Sequence, residues 1–113
     1  MQVNNYLMIT HQINIIFMNY NNFIQSTKNI NPPSSLTQIE LAIWHVVNNN
    51  WENAHNLAQK IDNEIGSWIH AHIHRIEGDT SNANYWYSKA NREYPKSTLQ
   101  EEVNQIIQYI TNK

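Results

Sequence analysis

Three histidines stand at alternate positions in one short stretch, Ser67-Trp68-Ile69-His70-Ala71-His72-Ile73-His74. On a helix His70 and His74 share a face at i, i+4, with Glu77 one turn further on, whereas His72 points elsewhere. Imidazoles so spaced are the commonest donors to zinc, and His45 or His55 from a neighbouring segment would complete three ligands and leave a fourth position for water. An i, i+4 pair without the intervening Glu of a metalloprotease motif is a weak signal on its own. The structural alternative has His70 and His74 half-buried, bonded to Tyr or Asn side chains or to main chain. The same stretch offers a second chemistry: Trp68 and Arg75 are of types enriched at binding hot spots, apolar area from one and a carboxylate grip from the other.

Other reactive groupings are missing from the chain. There is no cysteine, which excludes disulfide scaffolds, thiolate catalysis and Cys-ligated zinc. The only glycines are Gly66 and Gly78, too few for a phosphate loop, and no Ser occupies a nucleophile elbow. Glu77 and Asp79 are close in sequence but flank a helix end, where Asp79 serves as a cap. The reading is therefore non-enzymatic, with no cofactor.

Length and charge narrow the class further. A chain of 113 residues buries about two-thirds of its unfolded surface, enough for one self-supporting domain. Formal charge is −2 with no basic stripe, which argues against nucleic acid and anionic lipid as partners. The 19 Asn and 8 Gln are read as codon bias, because 41% hydrophobic content with four Trp and six Tyr is globular. His11, Gln12, Asn14 and Asn19 interrupt the apolar stretch from Tyr6 to Ile24, so neither a spanning helix nor a signal peptide is expected, and a cytoplasmic location follows.

The elements that must position these residues read as about six helices, since apolar residues recur near a period of 3.6 and hairpin dipeptides for strands are missing. Residues 1–12 are expected to be a loosely ordered extension, with Met18 an alternative start, and residues 13–113 a single helical domain. Ile13, Ile16, Phe17, Tyr20 and Ile24 form a stripe predicting a helix from Ile13 to Thr27. Pro32-Pro33 breaks the chain, and Ser35 with Gln38 has capping-box spacing for the next helix, which Asn48-Asn49-Asn50 ends. Further helices are expected over Trp51–Ile61, Ser67–Glu77 and Ser81–Arg92, with Asp62–Gly66 a turn. Ser97 with Gln100 opens a last helix whose apolar stripe is Leu99, Val103, Ile106, Ile107 and Ile110. Glu101, Glu102, Gln105 and Gln108 make its outer face.

Sliding the chain by 29 residues places Ala42 on Ala71, His45 on His74, Asn49-Asn50 on Gly78-Asp79 and Ala54 on Ala83. In the second unit Gly78-Asp79 is followed by Ala83, Tyr87, Ala90 and Pro95 at spacings that resemble the second helix of a tetratricopeptide repeat. His70 and His74 stand where that family has Leu and a large aromatic, and the first unit keeps only Leu41, Ala42 and Ala54 clearly. The resemblance covers residues 36–95. The Trp51…His55, Trp68…Asp79 and Asn82…Tyr87 segments together also resemble a group of small bacterial helical proteins, a likeness that supplies no activity.

This resemblance implies an all-α, right-handed array of antiparallel helix hairpins with terminal capping helices, serving as a protein or peptide interaction module. It also implies a concave face built by the first helices, on which Trp68, His72, Arg75 and Ile76 point outward as the partner-binding residues. Ile39, Ile43, Val46 and Val47 of the first unit would lie under the N-terminal helix. The structural alternative packs Trp68 under that helix and pairs Arg75 with Glu77 or Asp79. Two rival functions remain: a histidine-based metal-binding protein or metal-dependent hydrolase on the His70/His74 face, and homodimerisation through the exposed half-face.

Overall fold

The computed structural model of the chain describes residues 18–112, so the expectations for residues 1–12 and for Ile13, Ile16 and Phe17 lie outside them. Among the described residues there are six α-helices and no strand: α1 Tyr20–Ser26, α2 Gln38–Val47, α3 Trp51–Ala58, α4 Glu64–Ile76, α5 Thr80–Lys89 and α6 Leu99–Thr111. None of them is long and apolar enough to cross a membrane.

Capping chemistry sets where the helices begin. Asn19, in extended backbone, accepts from Asn22 N at 2.8 Å and caps α1, so Met18 and Asn19, expected within a helix from Ile13, lie before it. Three later starts are corrected as well. Thr37, not Ser35, caps α2: its hydroxyl accepts from Glu40 N while Glu40 Oε1 accepts from Thr37 N at 2.9 Å. Thr98 and Glu101 do the same for α6 in place of Ser97 and Gln100. In both cases a carboxylate at the third position displaces an amide, because its charge also suits the positive end of the helix dipole. The third correction is at α4. Asn63 accepts from Gly66 N at 2.9 Å, so the helix starts inside the segment expected to be a turn. Gly66 lies in that first turn because a Cβ there would stand 2.1 Å from the Ile61 carbonyl oxygen.

Two turns carry the same geometry 29 residues apart. Asn49 at φ 61° and Gly78 at φ 79° occupy the left-handed region, where Asn and Gly are the tolerated residues. Each is followed by a donor that closes a six-residue ring, Asn50 N to His45 O at 2.8 Å and Asp79 N to His74 O at 2.9 Å. Ala42, Ala71, Ala54 and Ala83 are all fully buried, so the small residues at both helix crossings let α2 approach α3 and α4 approach α5 closely. The 29-residue offset thus coincides at these two turns and at the four buried alanines, and the same turn also ends α5, where Asn91 has φ 57° and Arg92 N donates to Tyr87 O at 2.9 Å.

The helices pack in chain order, α2 on α3, α3 on α4 and α4 on α5, while α6 returns to lie against α1, α2 and α4. Its buried residues Val103, Ile106, Ile107 and Ile110 complete the apolar core with Phe23, Ile43, Trp44, Ile69 and Ile73. Each such side chain contributes about 1.5–3 kcal/mol by leaving water. α1 is tied to α2 through Trp44, whose indole N–H donates to Ser26 O at 3.0 Å. The face built by α2 and α4 is therefore occupied by α6.

Candidate functional site: two polar clusters on helix α4

Helix α4 directs polar side chains to two sides, and each set meets a different neighbour. Trp68, His72 and Arg75 follow one another at i, i+4 and i+7, the spacing of a single face. They converge on Glu102 of α6. Its Oε2 accepts from Trp68 Nε1 at 3.0 Å, and its Oε1 accepts from His72 Nδ1 at 2.6 Å and Arg75 Nη1 at 2.9 Å. The Tyr87 hydroxyl of α5 lies 2.9 Å from Oε1 and 2.7 Å from Oε2. Arg75 Nη2 also donates to the Ser97 carbonyl oxygen at the start of α6.

This geometry corrects the expected concave binding face. Trp68 is 5% exposed and His72 1%, so neither points outward, and Arg75 pairs with Glu102 rather than Glu77 or Asp79. The correction extends to Glu102, assigned above to the solvent face of the last helix but only 1% exposed. Burial alone would raise its pKa. Hydrogen bonds from His72, Tyr87 and Arg75, with the charge of His72, outweigh that and hold the carboxyl down at about 2. Burial, then the hydrogen bond to Glu102 and its negative charge, push the Tyr87 hydroxyl well above its ordinary value and so keep it a donor. A buried charge this completely matched is an internal joint between α4, α5 and α6.

The other side of α4 carries His70 and His74, and His55 of α3 comes in against them. One ring nitrogen from each of the three lies within 4.8 Å of the other two. His70 Nε2 is 2.9 Å from His55 Nε2, so a single proton is shared between two imidazoles. His70, 4% exposed, is sandwiched: its ring stacks on Trp86 with centroids 3.9 Å apart and on His74 at 5.0 Å. Burial first, then the neighbouring His55 and His74, lower its pKa to about 4, so the imidazole is neutral near pH 7. His70 Nδ1 is buried without a hydrogen-bond partner. His74 Nδ1 stands 3.0 Å from Glu77 Oε1, near enough for an ion pair but not aligned for a hydrogen bond.

Of the two histidines that sequence spacing allowed as a third member, the fold brings His55. His45 lies elsewhere, 3.3 Å from Asn50 Nδ2 and edge-on to Trp44. The expectation that His70 bonds to Tyr, Asn or main chain is likewise replaced by its bond to His55.

Ile76, the remaining residue of the expected docking set, is partly exposed and lines a groove of about 260 Å³. Its apolar walls include Ile24 of α1, Val46 and Val47 of α2, and Leu99 and Val103 of α6, while Asn49, His72, Gln100 and Asn104 supply polar groups. None of the family models, curated proteins or solved structures compared with this chain matches it.

Proposed function

We propose that the protein is a non-enzymatic interaction module, built from two tetratricopeptide-like hairpins, that takes an apolar segment of a protein or peptide into the groove between α1, α2, α4 and α6. The observation that carries this reading is the largely apolar lining of that groove around Ile76 and Leu99, the latter 41% exposed. Apolar grooves between helices accept amphipathic helices through spaced anchor side chains. Support for the repeat type comes from the paired left-handed turns at Asn49 and Gly78 and from the buried alanines 29 residues apart. The docking face differs from the one expected: Trp68, His72 and Arg75 are spent on Glu102, and Ile76 alone of that set is available.

Selection from a displayed library of helical peptides tests this. Wild-type protein should enrich sequences with apolar anchors at i, i+3, i+4 and i+7, and Ile76→Lys should lose them while keeping its helical circular dichroism. Peptides retained equally by Ile76→Lys, or none enriched by the wild type, would refute the groove. A concentration-dependent sedimentation coefficient abolished by Ile76→Lys would assign the groove to a second copy of the chain instead.

A further inference from the structure

We propose that His55, His70 and His74 bind one divalent transition-metal ion of the zinc class, through three imidazole nitrogens with water in the fourth position. The inference does not depend on the groove, which lies among other residues.

The first argument is what the three side chains lack. A cluster of hydrogen-bonding groups that served packing alone would match donors to acceptors, as the Glu102 cluster does. Here three imidazoles face one another, each carrying one N–H and one lone pair in its unprotonated form. Among the described residues only one hydrogen bond joins the three rings, between His55 Nε2 and His70 Nε2. A cation at the point of convergence would replace that shared proton and take one lone pair from each ring.

The second argument is positioning. Two ligands come from one face of α4 and the third from α3, so the ion would bridge both hairpins. The Trp86 ring, stacked 3.9 Å from His70, fixes the plane of the central imidazole. Glu77 stands against His74 Nδ1, the place of the carboxylate that orients a metal-bound histidine and leaves Nε2 for the ion. Metal–nitrogen distances of about 2.0–2.1 Å in a tetrahedron require nitrogens about 3.3–3.4 Å apart. The widest present separation, 4.8 Å, must contract by about 1.5 Å, within reach of rotation of the partly exposed His55 and His74 rings.

The donor set fixes the chemical class. Three neutral nitrogens suit Zn²⁺, Co²⁺, Ni²⁺ and Cu²⁺ and do not suit Mg²⁺ or Ca²⁺, which take oxygen.

Calorimetric titration of chelator-treated full chain with Zn²⁺, paralleled by the visible spectrum of the Co²⁺ form, tests the site. One ion per chain and the ligand-field bands of a tetrahedral complex are expected. His55→Ala and His74→Ala should each weaken binding more than Glu77→Gln, which should cost about tenfold. His45→Ala, outside the cluster, should leave affinity unchanged. If His55→Ala loses helicity by circular dichroism, His55→Asn at the same half-exposed position replaces it. Absence of saturable Zn²⁺ uptake, equal losses for His45→Ala and His55→Ala, or wild-type affinity in the His55 and His74 variants would each overturn the proposal.

Discussion

The two faces of α4 carry polar clusters of similar size and opposite completeness. Around Glu102 four side chains donate to one carboxylate, which has both an opposite charge and hydrogen bonds to offset its removal from water. Around His70 three imidazoles meet with one hydrogen bond between them. The first cluster is closed within the protein, and the second is open to a cation. Residue type alone does not separate them, since His72 and His70 are two positions apart on the same helix. What separates them is whether a carboxylate is supplied by the element packed against that face.

The largest effect that would break this contrast is expected at Glu102. Glu102→Ala leaves Arg75 as an unpaired charge and strands the Trp68, His72 and Tyr87 donors, and should cost about 3–5 kcal/mol in urea unfolding. A change below about 1 kcal/mol would show that the cluster is not a joint.

Acid gives the next effect. The folded carboxyl of Glu102 titrates near 2 rather than at 4.5, so the fold favours its ionised form. That contribution, about 3 kcal/mol, is complete above about pH 4.5 and vanishes as pH falls toward about 2. Glu102→Gln should flatten the stability profile over that window. An unchanged profile would remove Glu102 from the account.

Smaller effects sharpen the comparison. Tyr87→Phe deletes one donor to Glu102 and should cost about 1–3 kcal/mol. His55→Ala deletes the single hydrogen bond of the open cluster and should cost only about 0.5–1.5 kcal/mol without metal. A metal-free loss at His55 larger than that at Tyr87 would reverse the assignment of closed and open clusters.

Much of the fold was legible because its signals are local. The stripe of Leu99, Val103, Ile106, Ile107 and Ile110 depends only on spacing and reappears as burial except at Leu99, which is 41% exposed, while the 29-residue offset reappears in the buried alanines. Helix starts were displaced where two capping pairs competed, as at Ser35/Gln38 against Thr37/Glu40. The deciding energy there is the charge of Glu at the helix end, which a spacing rule treats as equal to Gln. At Gly66 a residue read as a turn signal belongs to a helix, since its smallness serves the close approach of Ile61.

The site was less legible because its members come together only through packing. Glu102 follows Glu101 and precedes Gln105 on an amphipathic helix, the pattern of a solvent face. It nonetheless stands three residues after Leu99 and four before Ile106, on the flank of the apolar stripe. Trp68, His72 and Arg75 at i, i+4 and i+7 were the available sign that α4 needs an acceptor opposite. The same spacing also suits an outward binding face, and only the return of α6 against α4 decides between the two. His70 and His74 could be paired from spacing, whereas the choice between His45 and His55 required the register of α3 on α4.

The contrast between the clusters is tested most directly by urea unfolding of wild type, Glu102→Gln and His55→Ala, each with and without saturating Zn²⁺. At a hundred times its dissociation constant the ion should add about 2.7 kcal/mol to the wild type. Glu102→Gln should start lower and keep that increment, and His55→Ala should start near wild type and lose it. An increment that survives in His55→Ala, or that disappears in Glu102→Gln while the protein remains folded, would contradict the separation of a closed structural joint from an open metal site.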